Sequence, residues 1–466
     1  MTVDDQERTA PQTHPVVLPR ISTDPLDMLV DRMRPALARA VETLQVAAAL
    51  EADGVTDRIA RVEYGYPDVF ALAAEVFRRL GPPADDPPAP VATGHGRRQT
   101  VRLLLHGPLY ALPSAVFPAV LVVVGQRHAI LALTMAGVLG WAYAGTVAFG
   151  AYKLLGANRP RRAARLLRFS ALAAPLLGAL VGAVLGRWSL VLLAGGQLTY
   201  QLAGTVLMFY RRELWQALTM APAVVAGVAF LLDDRARDTA LIAAGAGVLA
   251  AFTAALWCTF KQGSRDELPA RLSARGLAGV AAYGILSALL LLHAALPYLS
   301  GRLDIAVAVA PLILSMGFVE WRAERFRALA VGLTRTSRRP ADFEEHLTRA
   351  IGFEILLCAA VPAGLGVVLL AGLRATDPAV FVMVLAHVLL GGAYYVAFLL
   401  AGFERFGRLC ASLIAALVLH LGVVFLLGRS VTPLTDTVLF TGSVLALLAL
   451  FLLGLAPSVR QVRHYR

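Results

Sequence analysis

Residues 437–456 read TVLFTGSVLALLALFLLGLA, a run without one ionisable side chain. As a helix it can cross about 30 Å of hydrocarbon, where every backbone amide must be satisfied within the segment itself. Working back along the chain, similar segments lie near 103–125, 129–151, 169–186, 188–210, 214–232, 239–258, 276–299, 304–321, 351–372, 378–402 and 409–428. With 58% hydrophobic and 16% charged residues, a soluble fold is excluded. The fold class is an all-α polytopic membrane protein of about 12 transmembrane helices, preceded by a small helical domain.

The formal charge of +12 invites a nucleic-acid reading, but the basic residues alternate by loop. One set of loops carries Lys153, Arg159, Arg161, Arg162, Arg165 and Arg168, then Arg211 and Arg212, then Lys261, Arg265, Arg271 and Arg275. The same set holds the 322–349 stretch, Arg405, Arg408 and the 460–466 tail. The opposite loops carry Arg127, Arg187, Arg235, Arg237, Arg302, Arg374 and Arg429. A split of roughly 24 to 7 puts both termini in the cytoplasm by the positive-inside rule. The charge is therefore a topology signal, and no nucleic-acid partner is expected. Lys153 and Lys261 are the only lysines; with the Ala, Leu and Gly richness this suggests a GC-rich bacterial genome and a bacterial inner membrane. Cys258, Cys358 and Cys410 fall inside spans, too far apart for a metal motif, and are read as small apolar packing residues. The first hundred residues lack the early apolar core of a cleavable signal, so insertion is expected to begin with the first span.

Ahead of the spans, residues 1–21 read as a disordered tail and 22–81 as a small cytoplasmic helical domain. A first helix is expected from Pro25 to about Leu50, a second capped by Thr56, and a third opened by Pro67-Asp68. Residues 82–99 form a Pro-rich linker. The spans then divide into a six-helix lobe at 100–260, a loop at 261–275, a second six-helix lobe at 276–457 and a basic tail at 458–466. A weak internal repeat supports the division: Arg165-Leu166-Leu167-Arg168-Phe169-Ser170 leads to Pro175 much as Leu347-Thr348-Arg349-Ala350-Ile351-Gly352 leads to Pro362. The basic stretch after the eighth span, with Phe326, Leu329, Ala330 and Leu333 on one side and Arg325, Arg327 and Arg335 elsewhere, is expected to form an amphipathic surface helix.

Ionisable and polar groups within spans are the functional candidates, because lipid makes them expensive. His106, His293, His387 and His420 qualify, with Tyr143, Gln197, Tyr200, Gln201 and Tyr283 beside them. Gln197, Tyr200 and Gln201 stand at i, i+3 and i+4 and form one stripe. Such a stripe either hydrogen-bonds sugar hydroxyls in a cavity or ties one helix to the next. Each histidine is likewise either a substrate or proton site or a neutral bridge between helices. Glu320 and Glu354 lie near helix ends, where an ion pair with an arginine is the simpler role for Glu354. No phosphate-cradling Gly loop, no HExxH and no nucleophile elbow is present, so no enzyme activity and no cofactor is expected.

Gly107-Pro108-Leu109-Tyr110-Ala111-Leu112-Pro113 with Pro118 in the first span, the Gly-rich 137–150 stretch running into Tyr152-Lys153-Leu154-Leu155-Gly156, and the basic 161–168 stretch together resemble the MOP exporter superfamily. The resemblance covers roughly residues 100–457 and is nearest to the polysaccharide flippases, with MATE drug exporters as relatives. It implies two lobes around a cavity that opens alternately to each side, and a glycan or lipid-linked glycan as cargo. The cavity candidates are then His106, Tyr110, Tyr143, Gln197, Tyr200, Gln201, Tyr283 and His387. The chain departs from that pattern in two respects. The first span has no acidic residue for cation coupling, and Arg and Lys stay at span ends instead of inside a cavity where they would balance lipid pyrophosphate. Two further functions therefore stand beside the flippase: a non-transporting scaffold that recruits a cytoplasmic glycosyltransferase through residues 22–81, and a cation-coupled drug exporter.

Overall fold

The computed structural model describes residues 24–37, 40, 42–80, 97–260, 272–299, 301–336 and 340–459. The tail at 1–21 and most of the segments expected at 82–99, 261–275 and 458–466 lie outside the described residues. Two compact units divide the chain, Met1–Val91 and Ala92–Arg466.

In the first unit, α1 (Pro25–Leu37), α2 (Thr43–Ala52), α3 (Asp57–Glu63) and α4 (Val69–Leu80) enclose a core that includes Leu29, Leu50, Leu72 and Val76. The single helix expected from Pro25 to about Leu50 is two helices, because α1 and α2 each lay an apolar face on α4, which one straight rod could not do. The expected caps form: Thr56 Oγ1 accepts from Ile59 N at 3.4 Å, and Asp68 Oδ1 from Ala71 N at 2.7 Å. Arg79 closes the unit by donating to Asp24 and Asp27 at 2.7 Å each and to Glu75 at 2.9 Å. Hydrogen bonds from Arg78 and Arg79 pull the Glu75 carboxyl down to about 2.

The second unit begins with α5 (Arg97–Leu104), α6 (His106–Ala111), a 3₁₀ turn Leu112–Val116 and α7 (Phe117–Val124), which together make one span, Gln99–Val124. There follow α8 (Gln126–Gly156), α9 (Pro160–Val184), α10 (Trp188–Phe209), α11 (Glu213–Leu232) and α12 (Arg237–Phe260). After the undescribed segment come α13 (Ala274–Ala295), the short α14 (Leu303–Ala306), α15 (Ala310–Thr336), α16 (Pro340–Leu373), α17 (Pro378–Gly402), α18 (Phe406–Leu427) and α19 (Pro433–Val459). Twelve segments among the described residues are helical, long and apolar enough to cross a membrane. The chain is a multi-pass membrane protein.

Helices α8 to α12 contact one another chiefly through α10, and α15 to α19 chiefly through α17; these two are the most enclosed of the spans. Contacts between the two sets run from α8 to α13 and from α5 and α6 to α15. The surface helix expected after the eighth span is instead the continuation of α15, whose Phe326 and Ala330 are buried, and α16 begins at Pro340. Burial of Phe326 and Ala330 against α16 and α17 keeps the segment in the bundle, while Leu329 of the same stripe stays exposed. The side chain of Arg335 lies outside the described residues.

Apolar solvent gives spans no hydrophobic reason to associate, so close contact depends on small residues. A Cβ added to Gly182 of α9 would lie 2.4 Å from Leu190 and Val191 backbone atoms of α10, and one added to Gly178 would lie 2.4 Å from the Ala194 carbonyl. Nothing stands within 4 Å of the same position at Gly196. We expect Gly182→Val to lower the detergent melting temperature by the equivalent of about 2 kcal/mol or more, and Gly196→Ala to leave it unchanged or raised. Equal melting of the two variants would contradict the close contact.

The acid response of the first unit has a fixed sign. Its partners hold the folded Glu75 carboxyl below its unfolded value of about 4.3, so they favour folding above that value and stop doing so as pH falls toward 2. In hydrogen-exchange mass spectrometry on the full chain, protection factors of residues 57–80 should hold from neutral pH to about 5 and fall below about 4. Arg79→Met should flatten that fall.

Candidate functional site

Pro108, Pro113 and Pro118 have no amide proton, and the first span accordingly comes in pieces. Pro113 takes away the donor that would have met the Leu109 carbonyl four residues earlier. Tyr200 of α10 replaces it: its hydroxyl donates to the Leu109 carbonyl at 2.7 Å and accepts from Gln216 Nε2 of α11 at 3.0 Å. Tyr200 and Gln216 are both buried.

The same break puts His106 at the start of α6, with acidic side chains on both sides. His106 Nδ1 lies 2.6 Å from Glu320 Oε2 of α15, and Nε2 lies 3.8 Å from Glu213 Oε1 of α11. Glu213 receives both arms of Arg102, from Nε at 2.9 Å and Nη2 at 2.7 Å. Tyr110 donates to Glu320 Oε1 at 3.4 Å. The Glu213 side chain is 3% exposed and that of Glu320 24%, so the cluster runs from a buried carboxylate on α11 to a partly exposed one on α15. With His106 protonated it holds two cations and two carboxylates; with His106 neutral it carries one net negative charge. A single proton thus decides the strength of the contact that joins α6 to α15.

Close backbone approach surrounds that contact. A Cβ on Gly107 would stand 2.1 Å from the Leu314 carbonyl oxygen, and one on Gly317 2.2 Å from that of Leu103. Lys153, at the end of α8, pairs with Glu404 in the α17–α18 turn. Both contacts lie at the end of the spans where the basic loops gather. A separate buried pair, Arg322 with Glu354, joins α15 to α16 and is the arginine partner expected of Glu354.

Of the sequence candidates, His106 and Tyr110 come together here and Tyr200 sits one turn behind them. The others lie elsewhere. Tyr143 donates to the Ser170 carbonyl at 3.2 Å and links α8 to α9. Gln201 is pressed into the space left by Gly140 on α8, and Gln197 is half-buried, so the expected stripe on α10 faces different neighbours. Tyr283 is half-buried on α13, and His387 is buried on α17 with Nδ1 2.8 Å from the Met383 carbonyl. Arg102 and Glu213 were not singled out by sequence, because each looks like an ordinary charged residue at a span end. Among the described residues no group of three or more His, Cys, Asp or Glu side chains could hold a metal.

No protein-family profile matches the sequence. No curated protein matches it either. Among solved structures, the chain is similar in fold to a MATE protein in complex with MaD3S, at 15% identity over 80% of this chain and 98% of that one, with a TM-score of 0.53. It is also similar to the outward-facing conformation of a multidrug resistance MATE family transporter of the MOP superfamily, at 14% identity over the same shares and a TM-score of 0.50. At these identities the likeness is one of fold.

If Tyr200 replaces the donor lost at Pro113, the two positions must be coupled. Tyr200→Phe should destabilise the chain by about 1 kcal/mol, and by clearly less in a Pro113→Ala background, where a backbone amide meets the Leu109 carbonyl. A double-mutant cycle on detergent melting reads the coupling; additive losses would refute it.

Proposed function

We propose that this chain is a transporter of the MOP type, working by alternating access between two six-helix lobes, α5–α12 and α13–α19, in a bacterial inner membrane. The observation that supports this most is the His106–Glu320 contact. It ties α6 of one set to α15 of the other, and it can be loosened by the loss of one proton without unfolding either set. The fold shared with the MATE transporter described as outward-facing adds to the reading. With the basic loops in the cytoplasm, a cluster that closes this end is what an outward-facing carrier needs.

The cargo we assign is a glycan or polysaccharide precursor. Half-buried Gln197 and Tyr283 offer amide and hydroxyl groups suited to sugar hydroxyls. A second cargo class has its own support, since the carboxylates of Glu213 and Glu320 suit an organic cation and would make the chain a drug exporter.

The test compares a strain lacking the gene with strains carrying the wild type, Glu320→Gln or a deletion of residues 1–95. Loss of extracellular polymer with build-up of its precursor supports glycan transport; unchanged glycans with lost resistance to cationic compounds support drug export. Glu320→Gln should behave like the gene deletion while the protein remains in the membrane at wild-type level, and normal export by it would overturn the gate. Removal of residues 1–95 should leave transport in place. Loss of the phenotype, together with loss of a bound glycosyltransferase, would instead make the chain a scaffold.

A further inference from the structure

A second group of ionisable side chains lies toward the end of the spans opposite the basic loops, and nothing in the transport reading uses it. His293 Nε2 of α13 is 2.9 Å from His420 Nδ1 of α18. His420 Nε2 reaches Asp436 Oδ1 of α19 at 3.2 Å, an ion-pair distance, yet is not aligned on it as a hydrogen-bond donor. Tyr298, in the turn after α13, donates to the other carboxylate oxygen at 2.5 Å. His420 is 2% exposed and Tyr298 6%, and with the half-buried His293 and Asp436 they form one chain of four polar side chains across three spans.

We propose that His420 and Asp436 form a binding site for a single proton, with His293 and Tyr298 as its hydrogen-bonding ends. Bookkeeping of donors makes the case. Without the proton, one histidine donates to the other, Tyr298 donates to Asp436, and the carboxylate keeps its negative charge among apolar helices. One added proton turns His420 into an imidazolium, which donates from Nδ1 to His293 and from Nε2 to Asp436. The buried nitrogen that lacked a donor's alignment is then used, and the carboxylate becomes half of a neutral pair. Asp436 stands in the first turn of α19, near the water at that end, which gives the proton its entry. An aspartate that only capped α19 would need neither the tyrosine nor the histidine.

The other charged and titratable groups on the surrounding elements do not replace this pair. Arg302, in the connection after α13, is taken by Asp304 at 2.8 Å and by Asp377 at 2.7 Å. His387 of α17 is on the other side of Phe440, whose ring centre is 6.0 Å from His387 and 5.6 Å from His420. On α8, which also contacts α13, Arg127 and His128 at the same end are exposed. Protonation holds α13, α18 and α19 together, and its loss leaves one uncompensated carboxylate between them.

The site can be tested on the purified full chain in lipid nanodiscs, with no cargo, by infrared difference spectra between acid and neutral pH. Beyond the bands of the other histidines, wild type should show an imidazole contribution that is lost in His420→Gln and changes in His293→Gln. Tyr298→Phe removes one donor to Asp436 and should shift the midpoint of that contribution upward by about one pH unit; it keeps the ring, so it serves even where His420→Gln does not fold. A midpoint unmoved in Tyr298→Phe, or a folded His420→Gln whose spectrum matches wild type, overturns the proposal. So does a response to sodium at constant pH with none to pH. Because proton uptake is read without transport, a strain with no glycan or drug phenotype leaves this result intact, and absent bands leave the transport reading intact.

Discussion

A proline inside a span leaves one carbonyl without its helical donor, in a solvent that cannot supply another. Much of the bundle can be read as the response to that constraint. Pro113 frees the Leu109 carbonyl, and Tyr200 crosses from α10 to meet it. Pro108 frees the Leu104 carbonyl, and the α15 backbone at Gly317 closes over it, where an added Cβ would lie 2.9 Å from that oxygen. Pro362 frees the Cys358 carbonyl, and Gly391 of α17 comes near enough that a Cβ would stand 2.6 Å from it. Pro175 and Pro362 likewise lie inside α9 and α16.

The polar clusters follow from the same economy. Carboxylates inside lipid persist only when paired, and every buried one described here has a partner on another span. Glu213 has Arg102, Glu354 has Arg322, and Asp436 has Tyr298 and His420. These pairs differ in what they join. Arg102–Glu213 lies within the first helix set and Arg322–Glu354 within the second, so each fixes one set internally. His106–Glu320 runs between the sets, and it involves a side chain whose charge depends on one proton. The geometry therefore puts the proton-dependent contact, together with the exposed Lys153–Glu404 pair, where relative movement of the sets would break it, and the buried Arg–Glu pairs where movement would not.

The first unit obeys different physics. Water surrounds its ion pairs, so the fork of Arg79 contributes to register among α1, α4 and the Asp24 turn more than to stability. Its core of Leu29, Leu50, Leu72 and Val76 holds it together by burial of apolar side chains.

All twelve spans were legible in the sequence, because a spanning helix satisfies its backbone locally and announces itself by length and apolarity. The basic ends were not: α9 begins at Pro160 and the eighth span runs to Leu333, well beyond the expected 169 and 321. The caps at Thr56 and Asp68 were legible for the same local reason. Side-chain partners were not. The pairs Arg102–Glu213, His106–Glu320 and His420–Asp436 join different spans, the first two across 111 and 214 positions of chain. The polar stripe on α10 was found at the right spacing, yet its residues turn to different neighbours, since spacing along a helix fixes a face and not what lies opposite. The surface helix expected after α15 failed for a related reason: its apolar stripe could face lipid headgroups or other helices, and only packing against α16 and α17 decided between them. The sequence by itself thus determined twelve helices long and apolar enough to cross a membrane. Tertiary structure alone decided which charges meet, because in an apolar medium that depends on which spans come close enough to share a proton or a hydrogen bond.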